Sequence, residues 1–253
     1  IGRSIYNVMS RDNDGFANLN DFVHELHEAH GTDDIYIKAR FDYIYQDNIP
    51  ITDLDTHEPV KVVFESVLRD GELRNFVTVE TTEMSLCPCS KEMSLLKNNL
   101  TDDERKEIEQ LPEALQEKLM KTGFGAHNQK SMIETTVEVD ANGNGEFSID
   151  WLIGQLRSSA SSPTYSILKR PDEKWVTEVS YMSGYYDGDY NFVEVDGYGP
   201  KFVEDISRQL AEKLNDSLDE KIKDYVIVVN NHESIHSEDI VATAVLNAGR
   251  ELQ

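Results

Sequence analysis

The sequence predicts an α+β fold in which an antiparallel sheet carries helices on one face. Strand-like segments come in pairs, as at 62–68 and 75–82, which are joined by a turn containing Asp70-Gly71, a dipeptide typical of tight hairpins. Helical segments, recognised by apolar residues at three- and four-residue spacing, separate these pairs. Strand pairs that alternate with helix pairs favour an α+β architecture.

The chain opens with a predicted helix and a predicted strand. The helix is recognised from apolar residues at helical spacing, namely Leu19, Phe22, Val23, Leu26 and Ala29. Gly31 is a natural end for this helix. Residues 35–45 alternate in polarity like a half-buried strand. The hairpin of 62–68 and 75–82 comes next in the chain. The only two cysteines of the chain, Cys87 and Cys89, therefore lie just after its second strand.

A separate helical piece, 97–123, follows the cysteines. Thr101 and Glu104 have the spacing of a capping box, and Pro112 breaks the helical run. The piece is highly charged. We interpret 95–124 as a helical insertion between two parts of one site.

The second half of the chain continues the alternation of strands and helices. The predicted strands are 131–140, 225–229 and 240–246. One helix is predicted to start at Ser148, and another carries the apolar stripe Phe202, Val203, Ile206, Leu210 and Leu214. Residues 142–145 predict a turn. Segment 181–199 is rich in Gly, Tyr and Asp and predicts a long acidic loop.

Composition excludes several classes of protein. Among 253 residues, 48 are acidic and 24 are basic, a net charge of −24 that argues against general nucleic-acid binding. No apolar run reaches the ~18 residues of a membrane span. Two cysteines cannot build a disulfide framework, so reduced thiols and a cytoplasmic location are predicted. The acidic excess fits either a solubilising surface or adaptation to salt. The chain starts at Ile1, so we expect an N-terminal part to be missing.

A few side chains offer metal and proton-transfer chemistry. Cys87, His127 and Glu173 would supply a thiol, an imidazole and a carboxylate, which fit a divalent-metal site. Glu233 and His236, three residues apart, fit proton transfer beside it. The alternatives are a buried structural role for the cysteines and ordinary surface or core positions for the others.

Glu204 lies beside the apolar stripe of its predicted helix. It either edges that stripe or faces a pocket, where a carboxylate would accept two N–H donors from a guanine-type ring.

Two segments resemble calcium loops. Segment 140–145 matches the opening of an EF-hand, but Trp151 stands where the loop needs a bidentate Glu. Segment 10–15 fits equally poorly, with Ser10 as its first ligand. An acidic calcium-binding protein is therefore the non-enzyme alternative.

The motifs, taken together and in order, resemble those of the type IB GTP cyclohydrolase family. The matching segments are 85–94, 125–130, 168–178, 202–205 and 233–236, and 9–11 resembles an earlier motif. The resemblance implies a tunnelling fold: residues 1–253 would form one domain of two tandem modules of antiparallel sheet with helices on one face. Subunits would join their sheets into an oligomeric barrel, with a homotetramer expected and sites at subunit interfaces. Segments 95–124 and 183–199 are insertions relative to the family pattern.

The resemblance also implies an activity and the residues that carry it. The family converts GTP and water to 7,8-dihydroneopterin triphosphate and formate, the first step of tetrahydrofolate biosynthesis. Cys87, His127 and Glu173 would hold one divalent metal, zinc, manganese or iron(II), which activates water for attack at C8 of guanine. Cys89 would either lie next to these ligands without binding the metal or replace Cys87 as a ligand.

Substrate recognition and proton transfer fall on the remaining motif residues. By the same resemblance, Glu204 would anchor the guanine edge, and Glu233 and His236 would position water and move protons. The cations that flank the motifs and are expected to bind the triphosphate are Lys91, Lys130, Lys169 and Arg170. The alternative activities are an archaeal-type cyclohydrolase, which makes a cyclic phosphate product, and a tunnelling-fold nitrile reductase.

Overall fold

One antiparallel sheet of six strands organises the chain. The structure is a computed structural model, and it describes residues 15–32, 34–140 and 147–246. The strands are β1 (Ile35–Asn48), β2 (Asp55–Arg69), β3 (Glu72–Leu86), β4 (Asn128–Val139), β7 (Asp224–His232) and β8 (Ile240–Leu246), in the spatial order β1-β2-β3-β4-β7-β8. Each neighbouring pair is antiparallel. A separate hairpin consists of β5 (Gly184–Tyr186) and β6 (Phe192–Glu194).

The helices occupy the connections between strands. They are α1 (Gly15–His30), α2 (Pro88–Ser94), α3 (Asp102–Ile108), α4 (Glu113–Lys121), α5 (Ile149–Arg157), α6 (Arg170–Met182) and α7 (Val203–Asn215). A 3-10 turn spans Leu96–Asn98. The α+β prediction is confirmed, as are the predicted strands and the helices that end at Gly31 and begin after Ser148.

The core lies between one face of the sheet and helices α5 and α7. Alternate residues of the strands point into it, and Val77 and Val79 of β3 are fully buried. The helices contribute fully buried side chains at helical spacing, namely Leu152, Ile153, Leu156, Ile206, Leu210 and Leu214. Each such side chain contributes about 1.5–3 kcal/mol through its burial.

Local sequence signals set the turns and caps as predicted. Asp70 and Gly71 both have positive φ, 51° and 79°, which a two-residue hairpin between right-twisted strands requires. Thr101 and Glu104 form the complete capping box at the start of α3. Ser148 caps α5 by accepting from the Trp151 backbone amide.

The prediction of a long loop at 181–199 is wrong in part. Helix α6 continues to Met182, and the β5–β6 hairpin follows. The reason is apolar burial: Tyr185, Val195 and Tyr198 pack against Trp175 of α6. The predicted turn at 142–145 and most of both calcium-like segments lie outside the described residues.

Among the described residues, no helix is both long enough and apolar enough to cross a membrane.

Candidate metal and catalytic site

The ends of β3 and β4 bring the cysteine motif beside His127. Leu86 pairs with Asn128 at the end of the ladder between these strands. One step farther, the backbone N–H of Cys87 donates to the carbonyl oxygen of His127 at 3.2 Å. The His127 N–H in turn donates to Oγ of Ser90 at 3.2 Å. Two segments forty residues apart in sequence are thereby held as one unit.

Helix α2 separates the two cysteines in space. Cys87 is the N-cap of α2, and its Sγ accepts from the Ser90 backbone N–H at 3.4 Å. Pro88 occupies the first turn, where its missing N–H costs nothing. Cys87 is half-buried beside His127, whereas Cys89 is exposed. The backbone hydrogen bond therefore links Cys87 directly to His127.

The register between β4 and β7 brings the last motif to the same place. The ladder between these strands ends at the pair of Lys130 and His232, and Gln129 and Glu233 are the adjacent residues beyond it. Gln129 donates from Nε2 to Oε1 of Glu233 at 2.9 Å. The chain then turns and places the His236 ring 6.2 Å from the His127 ring, centroid to centroid.

His127, Glu233 and His236 form a group that fits a metal ion. One ligand atom from each lies within 4.8 Å of the others. The side chains of His127 and Glu233 are 13% and 5% exposed, whereas His236 faces solvent. Two imidazoles and a carboxylate are donors that zinc, manganese and iron(II) accept. The chemistry of this donor set therefore fits the divalent metal that the family pattern implies.

Two of the predicted metal ligands, Cys87 and Glu173, and the predicted guanine anchor Glu204 lie outside this group. Glu173 is exposed in the first turn of α6, and Glu204 is exposed in the first turn of α7. Within the described residues, the metal-type group assembles without either of them. Both are accessible to another molecule.

The predicted phosphate-binding cations are spread over the surface. Lys130, Lys169 and Arg170 are exposed. Lys91 is partly buried, with Nζ 5.2 Å from the centroid of the Tyr181 ring. Burial lowers the pKa of Lys91.

The start of α6 is tied to the turn between β1 and β2. Buried Asp172 accepts from the backbone N–H groups of Ile51 and Thr52, each at 3.0 Å, and from the Thr52 hydroxyl at 2.8 Å. Burial alone would raise the pKa of Asp172, but these hydrogen bonds hold it below its usual value. The neighbouring Glu173 therefore projects from an anchored helix end.

A buried ion pair that the sequence analysis missed supports β3. Glu83, four residues before Cys87, is fully buried, and its Oε1 lies 3.8 Å from Nη1 of Arg157. Burial raises the pKa of Glu83 to about 7, against the opposing effects of Arg157 and of a hydrogen bond from the Thr164 N–H. Arg157 also donates to Asp47 at 3.3 Å. A usable signal existed, since the alternation of β3 puts Glu83 on the same face as Val77 and Val79.

A second missed residue, Lys201, holds the segment before α7 against the cysteine motif. Its N–H donates to the Leu86 carbonyl at 3.0 Å. Its Nζ donates to the carbonyls of Ser159 at 2.9 Å and Ala160 at 2.7 Å, and also to that of Gly197. Burial lowers the pKa of Lys201 to about 7.

The chain is similar in sequence to proteins of a known family. A sequence model of the type I GTP cyclohydrolase folE2 family matches residues 4–242. The chain belongs to this family. It is 31% identical over 206 residues to the GTP cyclohydrolase FolE2 of Cupriavidus necator. This alignment covers 81% of this chain and 58% of that protein. It is 28% identical over 228 residues to the FolE2 of Thermosipho africanus, which covers 89% of this chain and 68% of that protein.

The chain covers part of the length of these relatives. It spans 58% of the Cupriavidus necator protein and 61% of the FolE2 of Cupriavidus pinatubonensis. Among solved structures, the uricase of Arthrobacter globiformis aligns with a TM-score of 0.42 and 10% identity, over 98% of this chain and 77% of that chain.

Proposed function

We propose that this protein hydrolyses GTP to 7,8-dihydroneopterin triphosphate and formate in a metal-dependent reaction that opens tetrahydrofolate biosynthesis. The observation that carries the proposal is the convergence of His127, Glu233 and His236, which come from two separate motifs, at one end of the central strands. Membership of the family and the names of the relatives support the same activity.

The proposed metal ligands are Cys87, His127 and Glu173. A bound divalent ion, whether zinc, manganese or iron(II), would supply the Lewis acidity that activates water for attack at C8 of guanine. Cys87 and His127 are neighbours through a backbone hydrogen bond. Glu173, the third proposed ligand, lies outside the group of His127, Glu233 and His236 in a single chain, at the anchored start of α6.

The remaining residues would bind substrate and transfer protons. Glu233 and His236 would hold and move protons as the imidazole ring of guanine opens, because they flank His127 and His236 is open to solvent. Glu204 would accept N–H donors from the guanine edge. The triphosphate would be bound by Lys91, Lys130, Lys169 and Arg170. Cys89 would lie next to Cys87 without binding the metal.

A homo-oligomer, with a tetramer as the family expectation, would complete the site. Four apolar side chains in or next to the motifs are exposed and would be available to another subunit, namely Met93, Phe124, Phe202 and Ile235. Glu173 and Glu204 are exposed, so each is available to the site of a neighbouring copy.

The test is turnover of chelator-stripped protein with GTP after separate addition of manganese, zinc and iron(II). We expect metal-dependent release of formate together with the fluorescence of the oxidised pterin product. A cyclic phosphate product would assign the archaeal-type activity instead. Absence of formate with every metal, in protein that folds and assembles, would reject the cyclohydrolase proposal.

A further inference from the structure

Gln129 connects two members of the metal-type group. It is 9% exposed and lies between His127 and Glu233. Its Oε1 lies 3.0 Å from Nδ1 of His127, and its Nε2 donates to Oε1 of Glu233 at 2.9 Å. The direct separation between His127 Nδ1 and Glu233 Oε2 is 4.0 Å, so the amide fills the gap between them.

The chemistry of the partners fixes the direction of this amide. A carboxylate only accepts hydrogen bonds, so the NH₂ of Gln129 must face Glu233. The amide oxygen then faces His127, and it can only accept. The Nδ1 atom of His127 must therefore carry the proton, which leaves the lone pair on Nε2.

We infer that Gln129 is a positioning residue that holds His127 in the Nδ1–H tautomer and presents its Nε2 to the metal. This inference rests on the proposed role of His127 as a metal ligand. A hydrogen bond to the non-coordinating ring nitrogen is how proteins orient metal-binding histidines and raise their basicity. The same amide also orients Glu233, so the Gln129 side chain positions two residues of the metal-type group.

Gln129 has buried, hydrogen-bonded neighbours on the same face of the sheet. Gln129 and Ser131 are both buried and share the inward face of β4, and the Ser131 hydroxyl bonds to the Asn231 side chain across the ladder to β7. The Gln129–Glu233 hydrogen bond lies two residues farther along in each segment, toward the site. Cross-strand pairs on one face are close neighbours, so Gln129 is supported by the Ser131–Asn231 pair.

The tautomer can be read in the metal-free protein. Magic-angle-spinning NMR of full-length protein labelled with ¹³C,¹⁵N-histidine would be recorded at about pH 8.5, well above the ordinary histidine pKa of about 6.5. His127 is one of 7 histidines, and its signals are assigned by their loss in His127→Gln. We expect the Nδ1–H form for His127. An Nε2–H form in the wild-type protein would overturn the inference without any reference to metal or activity.

Two substitutions separate positioning from folding. Gln129→Met keeps the size but removes both hydrogen bonds, so we expect a mixed tautomer and a dissociation constant for zinc or manganese raised about 10- to 100-fold, measured by chelator competition. Gln129→Glu still accepts from Nδ1–H, so it should restore the tautomer. The matched control is Gln209→Met, which removes a glutamine of α7 whose amide donates to the Gly197 carbonyl, and it should leave both readouts unchanged.

The outcomes distinguish this inference from the proposed function. An unchanged tautomer and unchanged metal affinity in Gln129→Met would reject Gln129 as the positioning residue while the cyclohydrolase proposal stands. Absence of metal binding in the wild-type protein, with His127 in the Nδ1–H form, would reject the metal-dependent function while the orientation of His127 stands. If Gln129→Met does not fold, the wild-type tautomer and that of Gln129→Glu still decide the question.

Discussion

The inward face of the central sheet has two ends of opposite chemistry. At one end, Val77, Val79, Ile133 and Ile227 are fully buried in an apolar core. Farther along the same strands, and on the same face, the buried residues are polar: Glu83, Ser85, Gln129, Ser131 and Asn231. Buried polar groups cost stability unless they are hydrogen-bonded, and Gln129, Ser131 and Asn231 are hydrogen-bonded here. The polar end leads to Cys87, His127 and Glu233.

This difference assigns separate tasks to one set of strands. The apolar end stabilises the fold by burial, and the polar end positions the site through hydrogen bonds across the ladders. Substitutions at the two ends should therefore have different signatures.

The largest effect is expected at the polar end. His127→Ala and Cys87→Ala should each lose the bound metal and turnover, because each removes a proposed ligand. Elemental analysis and formate release measure the two losses. The matched control is His57→Ala, an exposed histidine on β2, which should leave both unchanged. Full metal stoichiometry in the His127 and Cys87 variants would contradict the ligand assignment.

A large effect on rate alone is expected at His236. His236→Gln should lower kcat about 10²–10⁴-fold, the usual contribution of a general acid or base, while the metal remains bound. Steady-state kinetics and elemental analysis on the same preparation check this. Loss of metal would instead make His236 a ligand, as its place in the group with His127 and Glu233 allows.

Substitutions at the apolar end should lower the stability of the fold and leave the turnover unchanged. Leu152→Ala removes a fully buried side chain of α5 and should lower the free energy of unfolding by about 2–5 kcal/mol. Denaturant titration measures the loss. The turnover of the folded protein should stay at the wild-type level, and a matching fall in kcat would show that the two ends are coupled.

The smallest effect concerns the pH dependence of stability at Glu83. Its pKa is raised by burial from 4.5 to about 7, so the native state binds more protons than the unfolded state between these values. The contribution of Glu83 to stability is therefore present at low pH and is lost as pH rises through about 7. Glu83→Gln should flatten this decline in the free energy of unfolding. An unchanged slope in denaturant titrations across that range would reject the raised pKa.

Local signals predicted much of the fold. The Asp70-Gly71 hairpin, the capping box at Thr101 and the helix start at Ser148 each depend on neighbouring residues, and each is confirmed. The cysteine motif lies just after a strand, as its position following the hairpin predicted. The prediction of a loop at 181–199 is wrong in part because Tyr185 and Tyr198 pack against Trp175, a contact that composition does not reveal.

The candidate site could be predicted only in part. Family motifs identified His127, Glu233 and His236, but the grouping of these three depends on the register of β4 against β7. Gln129 belonged to a recognised motif, yet its role follows only from its place opposite Glu233. Register is a long-range property that pairs residues about a hundred positions apart, so no local pattern encodes it.

The most direct test of the central claim follows one atom of the substrate. GTP isotopically labelled at C8 would be incubated with metal-loaded wild-type protein and with His127→Ala. We predict that the label leaves as formate with the wild-type protein, in equal amount to the pterin formed, and that it stays in the nucleotide with His127→Ala. Retention of the label in the nucleotide by the wild-type protein, or its release as formate by His127→Ala at the wild-type rate, would contradict a cyclohydrolase site at this end of the sheet.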